Sequence, residues 1–371
     1  MSKKVLLISN TSWSINNYRT GLINELRSKG YEIYVLAPYD KYVKNLKKLG
    51  CNFVDVKIDA KGFNPFAELK GFYTFYKKIK KISPNFILSY TIKPNLYSSI
   101  SARILNRPIL INITGLGQGF SSENLLKKTL IFVCKNAFRK VNTVFFQNND
   151  DRELFIKNGI VNDSVAINVP GSGANTQYFS PMPKLKEENG KIVFCVITRL
   201  LWDKGINEYI KAIEIVKKEY NNVEFQLLGK FDSKDKKAVS EEKIKSWEAK
   251  GLINYLGFSD DVRQQIRETD CIVLPSYYRE GIPRCLIEAI SMGKPIITTN
   301  HIGCKEIVED TVNGFLCEIK SEHSLAVAIK SFLKLDSYQR KVMGDKSREK
   351  ALNEFDEKIV IAKYINRMQQ I

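Results

Sequence analysis

Histidine is almost missing from this chain. Its 371 residues include two, His301 and His323, both in the second half. An imidazole base from the first half is thereby excluded. Any general base there has to be a carboxylate, and residues 1–183 hold only 11 Asp and Glu. Cysteine is sparse and unpatterned: seven residues, an odd number, with no C-x2-C pair. That argues against a disulfide framework or structural zinc and for a reducing compartment. No apolar run approaches the roughly 18–20 residues that a spanning helix needs. Met1-Ser-Lys-Lys4 runs directly into an apolar strand, which predicts no signal peptide. No Asp-x-Asp follows a strand. Asp150-Asp151 and Asp260-Asp261 read instead as helix N-caps, so no bound metal is predicted.

What is present is a globular composition, 44% hydrophobic and 26% charged, at a length that suits two domains. The net charge of +18 is unevenly placed. Residues 1–183 carry 26 Lys and Arg, a net +15, while residues 184–371 carry 32 against 29 Asp and Glu. A basic first half implies an anionic partner: nucleic acid, anionic lipid or a phosphate-bearing molecule.

Apolar runs at 5–9, 32–37, 53–58, 86–90, 109–114, 144–147 and 165–169 alternate with helical segments. The scheme repeats with runs at 192–198, 223–228, 253–256, 271–275, 295–299 and 315–318. Strands alternating with helices predict right-handed βαβ units and a parallel sheet in each half. Two stretches rich in Pro, Gly and charge separate the halves: Pro170-Gly-Ser-Gly173 and then residues 180–190. The predicted domains are therefore 1–180 and 181–354, followed by a helical tail at 355–371.

The most informative stretch is Glu280-Gly-Ile-Pro-Arg-Cys-Leu-Ile-Glu288. It follows the buried-strand run 271–275 and the loop Ser276-Tyr-Tyr-Arg279, and Pro283 suits the first turn of a helix. Strand ends of open α/β sheets bind ligands, and helix N-termini bind phosphate. Two carboxylates around such an anion site suit a sugar nucleotide, whose hydroxyls they grip. Upstream, Thr198-Arg-Leu-Leu-Trp-Asp-Lys-Gly205 places Arg199 and Lys204 just past another strand, as two cations for a leaving diphosphate. E-x7-E together with R-L-x3-K-G, Leu228-Gly229, Leu256-Gly257 and Asn313-Gly-Phe315, in this order, resembles the retaining glycosyltransferases of family four. The resemblance spans essentially the whole chain. It implies an α/β fold of GT-B type, two Rossmann-like parallel-sheet domains facing across a cleft, with the tail packed back on the first. It also implies a UDP-sugar donor. Arg199 and Lys204 hold its diphosphate, Glu288 the ribose and Glu280 the donor sugar. Backbone groups of Gly281, Ile282, Pro283, Arg284 and Cys285 contact phosphate and sugar, and Gly229 and Phe258 wall the nucleotide. Arg284 is unusual beside a sugar and reads as a contact to an acidic group. Family members commonly carry a histidine base in the first domain, and this chain departs from them. A front-face transfer, in which the departing phosphate takes the acceptor proton, needs no such base. No cofactor is implied.

On the acceptor side, Asn17, Tyr18 and Arg19 lie in the stretch after the first strand, where they read as contacts to acceptor phosphate or sugar. They read equally well as the cap and amphipathic start of a helix. Thr91-Ile-Lys-Pro-Asn-Leu-Tyr97 and Thr114-Gly-Leu-Gly-Gln-Gly-Phe120 follow later strands. The pair is similar to transferases that build O-antigen, capsule or N-linked glycans on undecaprenyl diphosphate, including N-acetylgalactosaminyltransferases. By that likeness Lys93 pairs with lipid diphosphate, and Gly115 and Gly117 expose backbone N–H groups to it. Residues 63–83 and 125–141 mix Phe66, Leu69, Phe72, Tyr73, Phe75, Tyr76, Leu125, Leu126, Leu130, Phe132 and Val133 with many Lys and Arg. Such basic amphipathic helices lie on anionic bilayers. The expectation is a cytoplasmic enzyme held peripherally on the inner face of a bacterial plasma membrane, acting on a lipid-linked saccharide. Lipid A core or diacylglycerol acceptors and a GT-B sugar-nucleotide 2-epimerase are the alternatives. The epimerase is disfavoured by E-x7-E and the missing first-half histidines, and nucleic-acid binding by the absence of a recognition motif.

Overall fold

The computed structural model describes residues 2–58, 65–117, 120, 125–185, 190–232 and 235–371, without the side chains of 65–67 and 125–126. Phe63, the side chains of Phe66, Leu125 and Leu126, Gln118 and Gly119, and residues 186–189 lie outside it. The chain divides into two compact units, Met1–Gly173 with Glu357–Ile371, and Ala174–Asp356. Each is a doubly wound α/β layer.

Unit 1 contains β1 (Lys4–Ile8), α1 (Ser12–Ser28), β2 (Glu32–Ala37), α2 (Val43–Lys48), β3 (Asn52–Asp55), α3 (Pro65–Ile82), β4 (Phe86–Tyr90), α4 (Ile92–Ile104), β5 (Ile109–Ile113), α5 (Leu125–Ala137), β6 (Thr143–Phe146), α6 (Asn149–Lys157) and β7 (Ala166–Asn168). Its seven strands are parallel in the order β3-β2-β1-β4-β5-β6-β7. The order reverses direction at β1 and β4, which pair with Val5 opposite Phe86. Unit 2 contains β8 (Ile192–Ile197), α7 (Ile206–Val216), β9 (Val223–Leu228), α8 (Glu241–Ala249), β10 (Asn254–Tyr255), α9 (Arg263–Glu268), β11 (Cys271–Leu274), α10 (Arg284–Ser291), β12 (Ile296–Thr299), β13 (Gly314–Cys317), α11 (Glu322–Lys334) and α12 (Ser337–Glu354). Its six strands run β10-β9-β8-β11-β12-β13, with the switch between β8 and β11.

The strands form because their apolar runs are buried on both faces, as a covered parallel sheet demands. In β8, Phe194 and Val196 join the core under α7 and α11, while Cys195 and Ile197 join the opposite core under α10. In β1, Leu6 and Ile8 face one layer, and Val5 and Leu7 face the layer of α1. The last helix, α13 (Glu357–Gln369), belongs to that second layer. Its Val360, Tyr364, Ile365 and Met368 are buried beside Leu22, Ile23 and Leu26 of α1.

Two expectations are corrected, and one that the sequence leaves open is decided. The unit boundary falls at 173/174, not near 180. The Ala174 N–H donates to the Phe355 carbonyl at 2.8 Å, and Arg348 of α12 donates to the carbonyls of Thr176 and Phe179. These bonds bind 174–179 to unit 2, so the crossing uses the first Gly/Pro stretch, where Gly171 and Gly173 have positive φ. Next, α1 begins at Ser12. Thr11 caps it by accepting from the Ser14 N–H at 3.2 Å, so Asn17, Tyr18 and Arg19 are helical. Finally, the cap of α6 is Asn148, with Asp150 and Asp151 in the first turn. Asp261 precedes α9 by two residues and is ion-paired with Arg263 at 2.6 Å.

Candidate active site

At the switch of unit 2 the loops after β8, β11 and β12 interlock through two glycines. Gly205 has φ +78, and a Cβ there would lie 2.0 Å from the Pro275 carbonyl oxygen. Gly303 has φ +85, and its Cβ would lie 1.9 Å from the Gly281 oxygen. No side chain fits at either position. The loop after β8 turns through Trp202, Asp203 and Lys204 before Gly205 opens α7. The Asp203 carbonyl accepts the N–H groups of Tyr277 and Tyr278 at 3.0 and 3.1 Å. Thr299, ending β12, donates its hydroxyl to the Ser276 carbonyl at 2.5 Å.

This scaffold places Lys204, whose side chain is 7% exposed, in an ion pair with Glu280, 15% exposed. Ser276 donates to the same carboxylate oxygen at 3.2 Å, and Lys204 Nζ lies 4.9 Å from the Tyr278 ring centroid. Burial, then the Glu280 charge, pushes the Tyr278 hydroxyl above its usual range. Arg199, at the start of the same loop after β8, is exposed.

Pro283 occupies the N-cap of α10, one position earlier than the first turn, and helical backbone starts at Arg284. One turn on, Arg284 Nε donates to Glu288 Oε1 at 2.8 Å. That ion pair answers why a glutamate sits in a helix lined by Leu286, Ile287, Ala289 and Ile290. Burial still raises the Glu288 carboxyl above the ordinary carboxylate range, with Arg284 pulling the other way. The Cys285 thiol is likewise pushed up by burial. Beside β8, the Gly229 N–H donates to the Gly257 carbonyl at 2.8 Å, and a Cβ on Gly229 would lie 2.0 Å from the Thr198 oxygen. Phe258 follows, half exposed, with Lys230 over its ring.

Three basic groups (Arg199, Lys204 and Arg284), two carboxylates and a helix N-terminus thus gather at the strand ends where open sheets take ligands. Their charges suit a diphosphate and its neighbouring hydroxyls. A cavity of about 570 Å³ lies elsewhere, at the opposite edge of the sheet, lined by Ile192, Gln265, Asp270 and Arg340 among others. Among the described residues no three His, Cys, Asp or Glu gather as a metal would require.

In unit 1, Arg19 is buried with its guanidinium 4.2 Å from the Tyr90 ring centroid. Tyr18 packs edge-on to Trp13, and Asn17 accepts from Asn16 at 3.0 Å. Lys93 lies in the first turn of α4 and is ion-paired with Glu68 of α3 at 2.7 Å. The Tyr97 hydroxyl also donates to Glu68. Gly115 and Gly117, after β5, both have positive φ.

Residues 180–350 match the family described as Glycosyl transferases group 1, and residues 4–148 match Glycosyl transferase 4-like. The chain is a GT-B glycosyltransferase. It is 26% identical to the N,N'-diacetylbacillosaminyl-diphospho-undecaprenol alpha-1,3-N-acetylgalactosaminyltransferase of Campylobacter jejuni, covering 99% of each chain. It is 24% identical to the UDP-Gal:alpha-D-GlcNAc-diphosphoundecaprenol alpha-1,3-galactosyltransferase of Escherichia coli, over 82% of this chain and 79% of that one. The crystal structure of Anabaena HepE in complex with UDP superposes with a TM-score of 0.80 at 19% identity, covering 100% of both chains, which shows a common fold.

The charged groups of this candidate site carry a sequence signal, and the groups that hold them do not. Asp203, Ser276, Tyr278 and Gly303 carried no visible signal beyond lying after strands. In unit 1, sequence reasoning missed Tyr90 and Tyr364, which surround Arg19.

Proposed function

We propose that the enzyme transfers a hexose or N-acetylhexosamine from a UDP-sugar to a polyprenyl-diphosphate-linked saccharide, retaining the anomeric configuration and using no divalent metal. One observation carries this reading: Lys204 and Glu280 face each other at the sheet switch, beside the N-terminus that presents Arg284 and Glu288. Lys204 and Arg199 balance the diphosphate as the bond from the sugar C1 to its oxygen breaks. Glu280 and Glu288 accept hydroxyls of the sugar and the ribose. The acceptor oxygen attacks from the face the diphosphate leaves, and its proton passes to the departing phosphate. The names of the two curated relatives, each with a diphosphoundecaprenol acceptor, support the acceptor class. The test is calorimetric titration with UDP in excess EDTA, followed by NMR of the product anomer. UDP binds the parent, and Glu288→Ala binds about 10-fold or more weaker, because a hydrogen bond to a charged group is lost. Binding that appears only after manganese is added defeats the metal-free donor site, and an inverted anomer defeats retention.

The same reading puts unit 1 on the cytoplasmic face of the membrane. Among the described residues no helix is long and apolar enough to cross a bilayer. In α3, Phe75, Ile79 and Ile82 are buried in the core, whereas Leu69 and Tyr73 are 66% and 52% exposed. In α5, Phe132 is 69% exposed. Around them Lys70, Lys77, Lys80, Lys128, Lys135 and Arg139 point outward. α3 and α5 both pack on α4, so these residues share one side of the sheet. Exposed apolar groups within a basic rim suit an anionic bilayer surface. Co-sedimentation with phosphatidylglycerol vesicles is expected, weakened by 0.5 M salt as for any screened charge contact (~3 Å Debye length near 1 M). Leu69→Ser/Tyr73→Ser/Phe132→Ser should bind at least tenfold less, since the loss of even one buried apolar side chain costs roughly 1.5–3 kcal/mol. Undiminished binding by the triple variant overturns the assignment.

A further inference from the structure

Unit 1 holds a buried cation that no described carboxylate neutralises. Arg19 is 5% exposed on α1. Its guanidinium stacks on the ring of Tyr90, the last residue of β4, at 4.2 Å, and no hydrogen bond or ion pair engages it among the described residues. An arginine this deep ordinarily has a carboxylate partner, and a cation–π contact compensates only part of its lost hydration. Lys93, nearby in sequence to Tyr90, differs: its charge is met by Glu68.

Several polar atoms around Tyr90 also lack hydrogen-bond partners. Thr91 stands at the N-cap of α4, where a threonine hydroxyl ordinarily accepts from the helix. Here its buried Oγ1 makes no hydrogen bond. Its backbone is held at φ +69, a conformation that non-glycine residues adopt at a cost and mostly at functional sites. Asn95 is fully buried; its amide donates to the Asn112 carbonyl at 2.9 Å, while its Oδ1 accepts nothing. The Tyr90 hydroxyl faces that of Tyr364 without meeting hydrogen-bond geometry. The Tyr364 hydroxyl instead accepts from the Asn112 amide at 2.8 Å. All these groups meet at the C-terminal ends of β4 and β5, beside the switch between β1 and β4.

We infer that unit 1 carries its own anion-binding site, in which Arg19, braced by Tyr90, takes a phosphate of the acceptor's diphosphate at the start of α4. The inference rests on the proposed lipid-diphosphate acceptor and names the part of it that unit 1 grips. The guanidinium fork matches two phosphate oxygens at once. The Thr91 and Tyr90 hydroxyls are donors that a phosphate satisfies, and the α4 N-terminus adds its partial positive charge.

The test uses the full chain saturated with UDP, so that unit 2 is occupied. It is titrated by calorimetry with inorganic pyrophosphate and, separately, with farnesyl diphosphate. The parent binds both, farnesyl diphosphate at least as tightly. Arg19→Gln weakens both by tenfold or more, Arg19→Lys falls between, and UDP affinity is unchanged in each. Without anion, Arg19→Gln melts no lower than the parent, because it removes an uncompensated buried charge. Added pyrophosphate then raises the melting temperature of the parent only. Equal pyrophosphate binding by the parent and Arg19→Gln overturns the site. So does a parent that binds neither anion. A drop in anion-free melting temperature with no change in anion affinity makes Arg19 a packing residue. Tighter binding of pyrophosphate than of farnesyl diphosphate assigns the anion to a soluble source and overturns the acceptor assignment. A parent that fails to bind UDP sinks the donor reading instead, and the anion titrations still report on Arg19.

Discussion

Lys204→Met lowers kcat/KM by about 10²–10³-fold, the usual loss when one preorganised charge-stabilising donor is removed from a transition state. The expectation follows from where the lysine is held. Gly205 fits its loop against the Pro275 carbonyl, where any side chain would collide, so Lys204 cannot drift from the switch between β8 and β11. In the ligand-free protein its charge and that of Glu280 neutralise each other. A donor diphosphate then competes for the ammonium, and the sugar hydroxyls for the carboxylate, so neither group is buried bare at any stage. The substitution has a second consequence. It leaves Glu280 nearly buried without its cation, and breaking such a pair costs about 3–5 kcal/mol. Urea unfolding should detect that loss. Lys204→Met/Glu280→Gln restores most of the stability, because no lone charge remains, yet the rate stays low. Initial rates and unfolding on the same samples therefore separate the two roles. A single variant within threefold of the parent rate would remove Lys204 from the chemistry.

Much of this could be read from the chain because buried parallel strands leave a coarse signal. The runs at 32–37 and 223–228 coincide with β2 and β9 residue for residue, since their apolar side chains fill the core layers. The run at 253–256 shortens to Asn254–Tyr255, an edge strand with one neighbour. The charged members of the candidate site were also legible as a group, because E-x7-E and R-L-x3-K fix residue type at fixed spacing. What was hidden depends on tertiary contact. Nothing local shows that Glu68 neutralises Lys93 across 25 residues of chain, nor that Tyr364 returns to lie against Phe145 at 4.2 Å. Arg19 reads either as a loop contact or as part of a helix start because Asn10-Thr-Ser-Trp-Ser14 is polar, and only the Thr11 cap decides for the helix. The sequence boundary near 180 falls one segment late for a similar reason. Composition marked two flexible stretches, and only the hydrogen bonds of Ala174 and Arg348 choose between them.

Alkali should unfold unit 2 before unit 1, and cysteine is the cause. Cys195, Cys271, Cys285, Cys304 and Cys317 lie in unit 2, Cys51 and Cys134 in unit 1, and all are free thiols. Burial raises every one above the ordinary 9.0: Cys51 to about 11, Cys134, Cys195, Cys304 and Cys317 to about 12, and Cys271 and Cys285 upward as well. Below pH 9 both folded and unfolded chains keep the thiol protons, so nothing changes. Above it the unfolded chain releases protons that the folded chain retains, and stability falls as pH rises through 9 toward the folded values. One unit above 9, each thiol costs about 1.4 kcal/mol. Five thiols remove about 7 kcal/mol from unit 2 and two remove about 3 kcal/mol from unit 1. Lys294 works against this in unit 2. Burial lowers it to about 8 while its ammonium donates to the Arg267 and Thr269 carbonyls. The penalty of charging it in the folded state is relieved between pH 8 and its unfolded value of 10.5, which returns about 2 kcal/mol by pH 10. The net loss in unit 2, about 5 kcal/mol, is comparable to the whole stability of a small domain. Trp202 and Trp247 report on unit 2, and Trp13→Phe silences the tryptophan of unit 1. In that variant the fluorescence midpoint in urea should fall steeply between pH 9 and 10, ahead of the loss of helix signal from the whole chain. Cys317→Val and Cys195→Val should each move it back toward higher pH. A midpoint flat to pH 10.5, or both units failing together, would show that the thiols do not control the alkaline limit.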